Sequence, residues 1–259
     1  MKKAILAQSL LLLFAIAPFQ GAHAEGKEKF SLETGMDYST GKYGGTQSTD
    51  MVYVPVTGKY QGDSWTLKLT VPYLRITGPS NVVNGVGQTG TAASNTRSTR
   101  SGLGDVIAAA SHNVYNGGSS GLFVNLTGKV KFGTASYSKG LGTGENDYML
   151  QSDLYQVNGD FTAFGNIGYR VNGSPAAYTL NNVVYGLLGG SYKFSQETSG
   201  GAMLNLSQKT SVAGSSHAEA LFFVSHKIDK DWKVQGYALK GLTNSVPDSG
   251  AGVTFSCIL

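Results

Sequence analysis

A period of two in hydrophobicity constrains this chain more than any other feature of its sequence. Within residues 65–76, Trp65 and Leu67 share one parity with other apolar side chains, whereas Thr66 and Lys68 share the opposite, polar parity. Because successive side chains of a β-strand point to opposite faces, the segment predicts a strand that is apolar on one face and polar on the other.

The same alternation recurs along the chain, most clearly in residues 122–132 and 160–172, with Phe123 an exception. It predicts strands at residues 29–38, 50–60, 64–76, 103–116, 121–132, 146–157, 160–171, 182–194, 200–209, 217–228, 232–241 and 251–259. The predicted links are short at 61–63, 116–120, 158–159, 195–199 and 229–231, and long at 39–49, 77–102, 133–145, 172–181, 210–216 and 242–250.

Short and long links therefore alternate strictly along the chain. Outer-membrane barrels have this sidedness, with tight periplasmic turns and longer outer loops, whereas a soluble β-sandwich has no reason to sort its loops. The strands are long enough to cross a membrane at barrel tilt, and an even number returns both termini to the periplasm. The predicted fold is all-β: a transmembrane antiparallel up-and-down β-barrel of about twelve strands.

The N-terminus predicts export. A basic start at Lys2 and Lys3 precedes a mostly apolar run, and residues 22–24 supply the small-x-small pattern of a cleavage site. The expected domains are a signal peptide at 1–24 and an outer-membrane β-barrel at 25–259, with the outer membrane as the location. Removing the two lysines lowers the formal net charge from +4 to +2. That charge is too small to indicate nucleic-acid binding.

Three predicted strands have an ambiguous facing. Strand 103–116 carries the alanine run 108–110 and strand 182–194 is apolar on both parities, so the pattern does not assign their faces. Strand 217–228 places Leu221 on the same presumed lumen face as Glu219. Lumen-facing apolar residues in this strand could form part of a ligand path.

Four short segments carry a resemblance to a known family. They are 71–75 (Val-Pro-Tyr-Leu-Arg), 102–105 (Gly-Leu-Gly-Asp), 131–135 (Lys-Phe-Gly-Thr-Ala) and the glycine-rich 139–148. In this order they resemble the outer-membrane family labelled "meta-pathway of phenol degradation", most clearly over residues 71–155. The resemblance implies a barrel transporter for hydrophobic or aromatic compounds.

The inward parity supplies the candidate residues for the lumen. The predicted ligand- and pore-lining set is Lys68, Lys129, Lys131, Asp153, Tyr155, Phe164, Arg170, Glu219, Phe223 and Tyr237, and Lys209 and Asp147 are also expected to point inward. Charges inside a barrel either pair and brace its wall or line a pathway and bias its selectivity. The cationic excess would favour anionic or aromatic-acid solutes, with Lys129 and Lys131 as the leading candidates. The aromatic residues could stack against a solute or plug the bore.

Two other classes of function compete with transport. A lipid-modifying hydrolase or deacylase needs a Ser–His pair. His112, His217 and His226 each follow a serine, but strand neighbours point to opposite faces, and no Gly-x-Ser-x-Gly motif is present. A non-transporting structural or adhesion barrel is the third class. Passive uptake by a non-enzymatic monomer is the favoured interpretation, with no cofactor and, given the scattered His and Cys, no metal.

The predicted partners are outer-membrane lipid and lipopolysaccharide, a small-molecule solute and the barrel-assembly machinery, with no nucleic acid. The long loop 77–102 suggests a lid or a lumen constriction. Its Arg97 and Arg100, like Arg75, could instead contact lipopolysaccharide phosphates. The last strand ends in Leu259, where many such barrels carry an aromatic residue that the assembly machinery reads.

Overall fold

The computed structural model forms a closed antiparallel β-barrel. It describes residues 28–80, 82–83, 87–88, 96–211 and 215–259, so the predicted signal peptide lies outside the described residues. The strands are β1 (Lys29–Gly41), β2 (Thr49–Gln61), β3 (Trp65–Gly78), β4 (Val82–Val83), β5 (Gly87–Gln88), β6 (Ser98–Leu103), β7 (Val106–Asn116), β8 (Leu122–Phe132), β9 (Asp147–Asn158), β10 (Phe161–Val171), β11 (Val183–Lys193), β12 (Thr198–Ser207), β13 (His217–Lys227), β14 (Trp232–Gly241) and β15 (Ser249–Ile258).

Each barrel strand pairs with its neighbours in the chain, and β1 pairs with β15 to close the ring. The short strands β4 and β5 pair only with each other, while β6 and β7 both pair with β3 and together occupy one position in the wall. The ring therefore has twelve positions, as the sequence predicts. Closure leaves no strand edge unpaired, which is what a sheet in lipid requires.

The fourth wall position differs from the prediction of one strand at 103–116. It begins earlier, at Ser98, and is interrupted at Gly104 and Asp105. The Gly104 N–H donates to the Pro72 carbonyl at 2.8 Å, and the Asp105 carboxylate accepts the Ala135 N–H at 2.9 Å. These contacts with other parts of the chain divide the strand, and its earlier start shortens the loop predicted at 77–102.

The alternation separates an apolar exterior from a mixed interior. On β3, Trp65 and Leu69 are exposed, whereas Thr70 and Leu74 are buried. The two-sided strand β11 follows the same rule, with every second side chain from Val183 turned inward. An apolar band exposed around a closed barrel is the surface that a lipid bilayer covers, so this is an outer-membrane barrel.

The links keep the predicted sidedness. They are short at 62–64, 117–121, 159–160, 194–197 and 228–231, and long at 42–48, 79–97, 133–146, 172–182, 208–216 and 242–248. We call the two ends of the barrel the turn end and the loop end. No helix in the described residues is long and apolar enough to span a membrane.

Candidate functional site in the barrel lumen

All ten predicted lumen residues occupy inward-facing positions of the barrel strands. Lys131, Asp153, Arg170, Glu219 and Phe223 are buried, and Lys68, Lys129, Tyr155, Phe164 and Tyr237 are partly buried. Asp147 also faces inward, but the prediction for Lys209 is wrong. Strand β12 ends at Ser207, so Lys209 lies in the following loop and is exposed. Contact of the ten residues with a solute remains a prediction.

Lys131 is the centre of a buried charged cluster at the loop end. Its Nζ lies 3.0 Å from an Asp147 carboxylate oxygen, 3.4 Å from an Asp105 carboxylate oxygen and 3.2 Å from Thr143 Oγ1. We call these four residues the Lys131 cluster. It favours the bracing alternative for Lys131, because both carboxylates and the ammonium are desolvated together.

The carboxylates of the Lys131 cluster also hold the loops. Asp105 accepts the N–H of Ala135 at 2.9 Å, and Asp147 accepts the N–H of Gly173 at 3.0 Å. The cluster thereby connects strand β8 with the loops 133–146 and 172–182. Asp105, where the fourth wall position is interrupted, thus contacts both Lys131 and loop 133–146.

Lys129 has a different environment, although it lies two residues from Lys131 on the same strand. Its cross-strand neighbours are Ala109 and Met149. Asp153 lies within electrostatic reach, but no ion pair is found for Lys129 among the described residues. A lysine in the lumen without a fixed partner is available to a passing anion. Lys129 is therefore the better pathway candidate of the two lysines.

Two further inward lysines escaped the sequence analysis. Lys59 stands directly opposite Lys68 across β2 and β3, and Lys233 on β14 lies within electrostatic reach of both. All three lie near the turn end of the barrel. Strand parity could have identified both residues. Lys59 has the same parity as the inward Thr57 on β2, and Lys233 has the same parity as the inward Tyr237 on β14.

An apolar patch faces the lumen on strands β10 to β14. It consists of the buried Met203, Leu221, Phe223 and Leu239, with Phe164, Leu187 and Tyr237 packed against them. We call it the apolar lumen cluster. The Phe164 and Phe223 rings are 6.5 Å apart between centroids and tilted, a favourable separation for an aromatic pair.

The aromatic rings of this wall lie flat against it, because each has a glycine as its direct cross-strand partner. The pairs are Phe164 with Gly189, Tyr185 with Gly168, Phe223 with Gly201 and Tyr237 with Gly252. A Cβ at Gly189 would lie 2.7 Å from Phe164 Cε2, so the ring covers the space where a side chain would otherwise stand.

Replacing Gly252 with alanine tests this arrangement. The new Cβ would collide with Asp37 Oδ1 and lie 2.6 Å from Cε1 and Cζ of Tyr237, so the carboxylate and the ring must both shift from the wall. We expect lower conductance in planar bilayers together with a lower unfolding temperature. Gly236→Ala is the control, because a Cβ there meets nothing within 4 Å. Equal effects of the two substitutions would contradict the flat-ring arrangement.

Outer loops cover part of the loop end. Tyr43, Val82, Ala135 and Leu141 from three loops pack on Met51, Tyr53, Leu74 and Ile76 from β2 and β3, and all eight are buried. We call this group the outer cover. Within the predicted constriction loop, Arg100 donates to the carbonyls of Pro79 and Val82, and Arg97 pairs with Asp50 at 2.6 Å. Contact of these arginines and of the exposed Arg75 with lipopolysaccharide remains a prediction.

The three histidines within the described residues lie in separate places. The His112 ring stacks on Trp65 of the exterior at 4.5 Å, His226 pairs with Thr198 at 2.8 Å, and His217 faces inward. No group of three potential metal ligands occurs in the part of the chain that the structure describes.

The sequence profile of the family described as "Putative MetA-pathway of phenol degradation" matches residues 33–257. Among solved structures, an outer membrane channel from Pseudomonas putida F1 aligns with a TM-score of 0.65 and 14% identity, over 91% of this chain and 97% of that one. The NanC porin aligns at 0.57 and 11% identity, over 88% and 100%. The KdgM porin, solved in complex with oligogalacturonate, aligns at 0.53 and 11%, over 88% and 98%. No curated protein matches the sequence. The fold shared with these structures is the predicted barrel.

Proposed function

The chain belongs to the family described as "Putative MetA-pathway of phenol degradation", and on that premise we propose that it is a channel for passive uptake of small hydrophobic or aromatic solutes. The resemblance stated from four short segments is thereby confirmed as to family. Transport of aromatic compounds is the function that the family name suggests, and the lumen gives it a physical basis.

The apolar lumen cluster is the observation that carries the proposal. The interior of a water-filled barrel is generally polar, so an apolar wall of flat aromatic rings and aliphatic side chains suits an apolar solute. The Phe164 ring, which is only partly buried, offers a stacking face next to the buried Phe223. The partly buried lysines, on other strands or near the turn end, keep the rest of the interior polar.

Solute flux into proteoliposomes tests the proposal. Purified protein should admit benzoate faster than a neutral sugar of similar size, because the aromatic ring gains contact with the apolar wall. Benzoate is useful here because its charge slows its passage through lipid alone. A folded barrel that admits neither solute would contradict the proposal.

Lys129 should bias the flux toward anions. A unit charge a few ångströms away contributes about 1 kcal/mol in water, so Lys129→Gln should lower the anion-to-cation permeability ratio roughly two- to five-fold. Reversal potentials across a salt gradient measure the ratio. The matched control is Lys240→Gln, since Lys240 is exposed on the exterior of β14. An unchanged ratio in the Lys129 variant would remove this residue from the pathway.

The remaining assignments belong to the same proposal. We propose cleavage of a signal peptide after Ala24, assembly by the barrel-assembly machinery as a monomer, contact with lipopolysaccharide, and no catalytic activity. The mass of the mature protein checks the cleavage site. Serine–histidine chemistry finds no support in the geometry of His112 and His226, which contact an exterior tryptophan and a threonine.

A further inference from the structure

Two buried acceptors in the lumen lack a donor. Asn205 on β12 and Glu219 on β13 are direct cross-strand partners, and Asn205 Nδ2 donates to Glu219 Oε1 at 3.1 Å. The residues are only 4% and 2% exposed. Glu219 Oε2 and Asn205 Oδ1 nevertheless have no hydrogen-bond partner within the described ranges.

A second carboxylate lies nearby. Asp37 on β1 is buried and accepts the hydroxyl of Tyr237, and Tyr237 lies within electrostatic reach of both Asp37 and Glu219. Neither carboxylate has an ion-pair partner in the part of the chain that the structure describes. This side of the lumen therefore carries two buried acidic side chains.

The basic residues of the lumen lie either on other strands or, like Lys233 on β14, near the turn end, whereas Glu219 is near the loop end of β13. Lys129 and Lys131 are on β8 and Arg170 is on β10, whereas the acidic side chains are on β13 and β1. The strand order leaves two strands, β11 and β12, between β10 and β13, and three wall positions between β8 and β1. A wall brace would bring a cation to Glu219, as Lys131 is brought to Asp147. Glu219 instead faces an apolar surface.

That apolar surface adjoins the acceptors. Leu221 is two residues from Glu219 on the same face of β13. Leu239 on β14 is the direct cross-strand partner of Leu221. Both leucines are buried members of the apolar lumen cluster. Unpaired buried acceptors cost about 1–3 kcal/mol each, so a donor that reaches them is stabilised. A ligand that brings both a donor and an apolar body suits the two surfaces together.

We propose that Glu219 and Asn205 form a donor subsite, which holds the hydroxyl or ammonium group of a small aromatic solute while its ring packs on Leu221 and Leu239. This inference rests on the proposed function and assigns the chemistry of the solute. Glu219 Oε2 and Asn205 Oδ1 accept the donor hydrogens. The nearby Asp37 strengthens the preference for a cationic head over a carboxylate, because like charges repel and opposite charges attract.

Four probes of nearly equal size distinguish a hydroxyl donor from an ammonium donor. They are benzyl alcohol, benzylammonium, benzoate and toluene, titrated into the purified full-length protein in detergent and followed by calorimetry. Benzyl alcohol and benzylammonium should bind more tightly than toluene and benzoate. Tighter benzylammonium indicates an ammonium substrate, and tighter benzyl alcohol a hydroxyl substrate. Equal affinities for all four probes would overturn the subsite, as would the tightest binding by benzoate.

Two variants locate the binding. Glu219→Gln removes the charge with little change of shape and should weaken benzylammonium about ten- to a hundred-fold, with a smaller effect on benzyl alcohol. Asn205→Leu should weaken both. Glu33→Gln is the control, because Glu33 is an inward carboxylate near the turn end of β1. If the Glu219 and Glu33 variants bind all probes like the unaltered protein, ordered water alone fills the subsite and the proposal fails.

Conductance recorded on the same preparations separates this proposal from the broader one. A conducting barrel without selective binding would overturn the donor subsite and leave the channel function standing. Selective binding in a barrel that conducts nothing would support the subsite and contradict the channel. Circular dichroism of each variant confirms that the compared proteins are folded.

Discussion

Replacing Lys131 with methionine should destabilise the barrel by about 3–5 kcal/mol. The substitution keeps the length of the side chain but removes the ammonium from between Asp105 and Asp147, which remain buried and uncompensated. Because the same carboxylates hold the N–H groups of Ala135 and Gly173, the loops above them should loosen as well. Equilibrium unfolding in urea, read by tryptophan fluorescence in lipid vesicles, measures the loss.

Lys129→Met is the matched control for this prediction. It makes the same chemical change two residues away on the same strand, at a lysine without an ion-pair partner in the described ranges. Its effect on the free energy of unfolding should be small. If both variants lose the same stability, the Lys131 cluster does not brace the barrel.

Replacing Leu141 with alanine should open the loop end. Leu141 is only 1% exposed and packs in the outer cover with Ile76 and Val82, so its truncation leaves a cavity that costs about 2–5 kcal/mol. The loss falls on the packing that holds loop 133–146 against β2 and β3. We therefore expect a larger and noisier single-channel conductance, with protease sensitivity appearing in that loop.

Leu103→Ala controls for the loss of a leucine. Leu103 is 62% exposed on the barrel exterior, where lipid and not protein surrounds it. This variant should conduct like the unaltered protein. An unchanged conductance in Leu141→Ala would show that the outer cover does not limit passage.

The sequence predicts the barrel because its determinants are local. The face of a residue follows from its parity, and the lengths of the links follow from where alternation stops. Even the two-sided strand β11 obeys the parity of its neighbours, since backbone pairing forces the alternation whatever side chains it carries. The ten lumen residues could be named for the same reason.

The contacts inside the lumen depend on register and on distant parts of the chain, which parity does not reveal. The division of a strand at Asp105 depends on Lys131, which comes from another strand. The pairing of Tyr237 with Gly252 requires the register of β14 and β15. Asp37 was missed for the same reason, since only the fold shows that Tyr237 contacts it.

Lys129 and Lys131 illustrate the limit most clearly. The sequence treats them alike, as two inward lysines on one strand. The structure surrounds Lys131 with two carboxylates and leaves Lys129 beside Ala109 and Met149. Lys131 is therefore the bracing residue, and Lys129 is the candidate for the solute pathway.

Single-channel recording of the purified protein in planar bilayers tests the central claim most directly. We predict discrete conductance steps with a preference for anions. Lys129→Gln should reduce the preference for anions, and Leu141→Ala should enlarge the conductance. A barrel shown to be folded and inserted that gives no conductance, even after Leu141→Ala, would contradict the account.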